Sequence, residues 1–275
     1  MTRWRHVGGL VGCVVAGLSA CAHRGPSAGG TAEETLNQSP RHHEWVDIET
    51  DAGRTVRAYV VFPEVDRAVG AIVVIHENRG LNDWARSLAD QVAEAGYVAV
   101  APDLLSGSGP DGGGTESFSS PDDARKGIYD LLPAQVLSDL DAAVAYARGL
   151  EATADKVAVA GFCWGGAQTF RYATHGADIA AAFVFYGQSV TDADAIRNIR
   201  SPVYGFYGGN DHRITSEVPR TRDLMSEAGK TYEPVVYEGA GHGFMRSGEG
   251  PEASVADQEA RARAWGRWKA LLAGL

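Results

Sequence analysis

Among 275 residues there are only three cysteines, at positions 13, 21 and 163, and lysine plus arginine (25) fall short of aspartate plus glutamate (35). The deficit of positive charge leaves a formal net charge of -10. A protein that binds nucleic acid neutralises phosphates with a basic face, and the sequence supplies none, so small molecules are the expected ligands. Long apolar runs are scarce as well. The most sustained, "VGGLVGCVVAGLSA" at residues 7–20, falls short of the roughly 20 residues of a membrane span and has the length of a secretory h-region. No internal repeat and no second domain can be discerned. What remains, 44% hydrophobic and 22% charged, is the composition of an ordinary packed core, and the length suffices to bury a sizeable interior.

Arg3, Arg5 and His6 precede the apolar run, which marks residues 1–20 as an export signal. "LSAC", Leu18 to Cys21, resembles the bacterial lipoprotein signal, in which the cysteine is lipidated and becomes the mature N-terminus. Ala20 and Ala22 offer the alternative of plain cleavage after Ala22. The expected location is the periplasmic side of a bacterial membrane, held only by a lipid on Cys21, or a soluble periplasmic or secreted form. In either case Cys13 is lost and Cys163 stands alone, which precludes an internal disulfide. Residues 21–43, rich in Gly, Ser, Ala and polar side chains toward their start, read as a flexible tether. Residues 44–275 read as one domain, expected to be a monomer.

That domain opens with "EWVDIET" and "TVRAYVVF" around Asp51-Ala52-Gly53-Arg54, a hairpin pattern. Six short apolar runs follow: "AIVVIH", "YVAVAP", "KVAVAGF", "AAFVFYG", "VYGFYGG" and "PVVYEG". Continuous apolarity, in place of alternation, marks strands buried on both faces of a parallel sheet. Helices are predicted near 82–95, 134–149, 164–174, 215–229 and 254–273, with Val136, Leu140, Val144 and Ala147 on one buried face. The fold class is therefore α/β, a mostly parallel sheet of about eight strands with helices on both faces. Residues 106–121 interrupt the rhythm as a glycine-rich surface loop. Gly107 to Gly112 satisfies G-x-G-x-x-G, yet Pro110 lies where phosphate would be wrapped and no helix opens at its end. No nucleotide or other cofactor is expected.

The chemistry centres on "GFCWGG", residues 161–166. Glycines around a strand-to-helix turn permit the strained backbone that lifts a central side chain above the sheet. Amides at the start of the following helix then face the Cys163 sulfur, favouring thiolate and an oxyanion. The competing reading is a small buried hydrophobe. "GGNDHRI" contributes Asp211 and "EGAGHGFM" contributes His242, each just after a predicted strand. Nucleophile, acid and base thus come in the chain order of an α/β hydrolase, with room for a βα excursion between each.

These motifs, together with "HENRGL" (residues 76–81), "APDLL", "GGND" and "GHGF", resemble the dienelactone hydrolase (carboxymethylenebutenolidase) family of α/β hydrolases from about residue 45 onward. The resemblance implies a hydrolase acting on a small ester or lactone through Cys163, His242 and Asp211. It implies that Glu77 lies beside the thiol and governs its ionisation, and that the backbone amides of Asn78 and Trp164 form the oxyanion hole. A zinc helix beginning at His76-Glu77 would need histidine at position 80, which is Gly80, so no metal is expected. In family members that act on dienelactone, two arginines hold the substrate carboxylate. Arg246, four residues beyond His242, matches one. Gly107 stands at the other, with Arg125 or Lys126 as replacements if the loop folds back. Arg79 and Trp84 are further candidates for the pocket wall, and the aromatics of "AAFVFYG" are assigned to sheet packing. The alternatives are a broad-specificity exported esterase or peptidase, and a lipid-anchored binding protein without turnover.

Overall fold

The apolar runs become strands because they are short, rich in valine and bounded by turn residues. The structure, a computed structural model, describes residues 31–275. The signal-like segment, Cys13 and Cys21 lie outside the described residues. β1 (His43–Glu49) and β2 (Thr55–Val61) form the expected antiparallel hairpin, Glu49 opposite Thr55. β3 (Val69–Ile75), β4 (Val98–Pro102), β5 (Thr153–Phe162), β6 (Ala182–Phe185), β7 (Val203–Gly208) and β8 (Tyr232–Tyr237) run parallel to one another. Together they make one eight-stranded sheet in the order β1-β2-β4-β3-β5-β6-β7-β8.

The helices are α1 (Ala32–Gln38), α2 (Asp83–Glu94), α3 (Pro121–Asp130), α4 (Pro133–Gly149) and α5 (Trp164–Thr174). They continue with α6 (Ala193–Arg197), α7 (His212–Thr215), α8 (Val218–Glu227), α9 (Phe244–Ser247) and α10 (Val255–Ala273). Successive strand residues point to opposite faces, and β3 shows the division. Ala71, Val73 and Ile75 share a core with Val136, Leu140 and Val144 of α4. Ile72 and Val74 share the other core with Leu88 and Val92 of α2 and Trp268 of α10. Each valine, leucine or isoleucine so buried contributes roughly 1.5–3 kcal/mol by leaving water.

Three features differ from the sequence expectations. The segment read as tether contains α1, started by a capping box in which the Thr31 hydroxyl accepts from Glu34 N–H and the Glu34 carboxylate accepts from Thr31 N–H. Just beyond it, Arg41 pairs bidentately with buried Asp90 of α2, Nε–Oδ1 2.9 Å and Nη2–Oδ2 2.5 Å. Residues 32–43 therefore belong to the folded body. The helix expected over 215–229 is α8, with Pro219 in its first turn, and a one-turn helix not expected from the sequence, α7, precedes it. Finally, α3 follows the glycine-rich loop. Ser120 caps it, Pro121 begins it, and Asp122 and Asp123 occupy its first turn. Ala124 and Ile128 anchor α3 against Leu105, with Trp164 packed alongside.

Candidate active site

Strand order reverses at β3. Its neighbours β4 and β5 lead away in opposite directions, and ligand crevices in such sheets open at the carboxyl ends of the strands flanking this point. β3 there delivers His76, Glu77 and Asn78, while β5 delivers Cys163.

Cys163 has φ 56° and ψ -115°, a conformation that costs a non-glycine residue about 1–3 kcal/mol. The turn is held by close backbone packing: a Cβ on Gly161 would sit 2.1 Å from the Gly165 carbonyl oxygen, and one on Gly165 2.4 Å from that of His76. Cys163 N–H donates to Phe185 O at 3.0 Å, tying the elbow to β6. The sulfur is thus directed out of the sheet but remains largely enclosed. Asp211, at the end of β7, and His242, after β8, converge on it. His242 Nδ1 lies 2.5 Å from Asp211 Oδ2, and His242 Nε2 lies 3.1 Å from Cys163 Sγ. A carboxylate accepts, so Nδ1 carries the proton and Nε2 faces sulfur with its lone pair. Asp211 is buried and His242 partly so, which shields this chain of bonds from water.

Buried Glu77 stands beside the sulfur, bound through both oxygens. Its Oε2 accepts from Arg246 Nε at 2.9 Å, and Oε1 from the Tyr186 hydroxyl at 3.3 Å. Burial, and then the Glu77 charge, push the Cys163 thiol up to about 11, opposed by hydrogen bonds from the Trp164 and Asn78 amides and by the charge of Arg213. The resting sulfur is therefore a thiol at neutral pH, not the partly ionised group expected from the helix start. The desolvation penalty on the charge outweighs the helix-terminal amides. The same Asn78 and Trp164 N–H groups are the two predicted for an oxyanion.

Several positioning groups were not singled out in the sequence. Fully buried His76 is kept neutral by desolvation. Its Nε2 accepts from Leu104 N–H at 3.3 Å, so Nδ1–H donates to Glu77 O at 2.8 Å and fixes the peptide that carries the Asn78 N–H. Thr115 Oγ1 accepts from Leu81 N–H at 2.8 Å and donates to Asp103 Oδ1 at 2.7 Å, pinning the Gly80 turn to the glycine-rich loop. Tyr186, assigned to sheet packing, has φ 40°; its ring lies edge-on to His242 at 5.2 Å between centroids. A tyrosine directly after β6 at the carboxyl edge was the available signal.

A cavity of about 570 Å³ opens over the sulfur, lined by Glu77, Asn78, Arg79, Asn82, Arg125, Tyr129, Cys163, Arg213, His242 and Arg246. α3 has thus brought Arg125 to the site. Lys126 instead pairs with Asp123, and Gly107 lines a separate hollow with Arg54 and Arg57. Trp84 is buried against Phe162 and does not line this cavity. A wider groove of about 740 Å³ beside α4, lined by Asp47, Asp141 and His175 among others, offers no comparable nucleophile. Among the described residues no cluster of three His, Cys, Asp or Glu side chains is arranged to hold a metal.

The profile of the "Dienelactone hydrolase family" matches residues 56–274. The chain is 34% identical over 222 residues to a "Putative carboxymethylenebutenolidase" of Methylorubrum extorquens, covering 72% of this chain and 75% of that one. It is 32% identical over 204 residues to a protein of the same description from Salmonella typhimurium, covering 70% and 74%. Among solved structures, a "Putative Dienelactone Hydrolase" of Klebsiella pneumoniae superposes with a TM-score of 0.73 at 27% identity, covering 86% of this chain and 99% of that one. The match extends across the strands that carry Glu77, Cys163, Asp211 and His242, and the chain belongs to the dienelactone hydrolase family.

Proposed function

We propose that this α/β hydrolase cleaves a small ester or lactone through a Cys163–His242–Asp211 triad and a thioester intermediate. The observation that supports this most strongly is the continuous hydrogen-bonded chain from Asp211 through His242 to the Cys163 sulfur, beneath two inward-facing amides. His242 Nε2 takes the thiol proton as sulfur attacks the carbonyl carbon, and Asp211 steadies the imidazolium. The developing oxyanion is received by the Asn78 and Trp164 N–H groups. The tetrahedral intermediate collapses, His242 returns its proton to the departing alkoxide, and the acyl group stays on sulfur. Water then gives a proton to His242 as it attacks the thioester carbon, the C–S bond breaks, and that proton returns to the departing Cys163 thiolate as the acid is released. Because thiolate is itself a good leaving group, substrates with activated, enol-like leaving groups partition forward best.

Glu77 governs when this begins. While its carboxylate holds Arg246, its negative charge disfavours thiolate. A substrate carboxylate that takes Arg246 displaces Glu77 from beside the sulfur and relieves that repulsion, so that His242 can take the thiol proton. Cys163→Ala tests the assignment: it removes ester turnover while circular dichroism shows an intact fold, and retained turnover refutes the nucleophile. We also propose that the chain is exported and anchored by a lipid on Cys21. The mass of the mature protein distinguishes a diacylglyceryl cysteine from a plain His23 terminus.

A further inference from the structure

The cavity above Cys163 has an unusual charge balance. On a chain with a formal net charge of -10, four guanidiniums, those of Arg79, Arg125, Arg213 and Arg246, surround a single lining carboxylate, Glu77. They come from four separate segments: the turn after β3, helix α3, helix α7 and helix α9. No local sequence pattern brings them together, and like charges gathered in one cleft repel unless an anion enters. Glu77 neutralises Arg246 alone. Among the described residues, Arg79, Arg125 and Arg213 make no ion pair, a property shared with several arginines elsewhere on the surface, but here three such groups line one cavity. Arg125 lies over the Tyr129 ring, 5.9 Å from its centroid, a cation–π contact that does not neutralise its charge. No aliphatic side chain lines the cavity, which disfavours long acyl chains and leaves a small, polar, charged molecule as the complement.

We propose that this cavity is a two-anion site, taking esters or lactones that carry two oxyacid groups, one held at Arg246 and the second at a subsite formed by Arg79, Arg125 and Arg213. The planar fork of arginine suits carboxylate and phosphate equally, so the second group is a carboxylate or a phosphate. The inference rests on the proposed ester hydrolysis for its substrate, but anion recognition itself does not require turnover.

Binding of unreactive probes therefore provides the test. Glutarate, 4-phosphonobutyrate and butyrate are titrated calorimetrically into the wild-type protein and into Arg125→Gln/Arg213→Gln, at low and at high salt. The two dianions bind the wild type about tenfold or more tighter than butyrate, an advantage that shrinks with salt and disappears in the double variant. The tighter of the two dianions identifies the second group. Equal binding of butyrate and the dianions overturns the proposal, as does a preference that survives both substitutions. Unimpaired turnover by Cys163→Ala would refute the thiol mechanism and leave this binding result standing.

Discussion

Glu77 and Arg246 form an ion pair at 2.9 Å within the cavity that opens over the Cys163 sulfur. The pair makes thiol ionisation and substrate binding depend on one another, because the carboxylate that disfavours thiolate is held by the guanidinium that a substrate anion would seek. Burial and Glu77 together set the thiol near 11. Thiolate is therefore scarce at pH 8 and increases as pH rises toward that value. Glu77→Gln removes the like charge and lowers the midpoint, so alkylation by iodoacetamide at pH 8 runs about tenfold faster than in the wild type. An unchanged alkylation profile between pH 7 and 11 would show that Glu77 does not control the sulfur.

The fold was legible because its strands are buried on both faces, which leaves continuous runs such as "KVAVAGF" between turn residues. Cys163, Asp211 and His242 were legible because each lies directly after such a run, where a parallel sheet collects its carboxyl ends. α3 was missed because only Ala124 and Ile128 bury from an otherwise polar stretch, although Ser120-Pro121 announces its start. Tyr186 was missed because a tyrosine that packs and one that donates to Glu77 look alike in sequence. The rise of the thiol above its ordinary range was not legible because it depends first on enclosure, which a local motif does not record, whereas the place of Glu77 beside it came from the family resemblance.

Thr115 is a positioning residue that acts through the Leu81 N–H and Asp103. Thr115→Val keeps the shape and removes both bonds, loosening the turn that carries Glu77 and Asn78. Expected is a fall in kcat of about tenfold or more with little change in KM, and rescue by Thr115→Ser. Equal effects of valine and serine would assign Thr115 a packing role only.

Arg41 fastens the segment after α1 to α2 through Asp90. Arg41→Ala leaves Asp90 buried with only the Ser39 hydroxyl as partner, at a cost of about 3 kcal/mol of folding stability. Equilibrium urea unfolding measures it. A loss below about 0.5 kcal/mol would place this pair among the weak surface contacts.

Acyl transfer to Cys163 is the step on which the proposed hydrolysis turns. Rapid mixing of the wild-type protein with p-nitrophenyl acetate, acid quenching at successive times and peptide mass measurement observe that step directly. The predicted result is a single acetyl group on the peptide containing Cys163. Release of p-nitrophenol in repeated turnovers, with that peptide unmodified at every quench time, would contradict it.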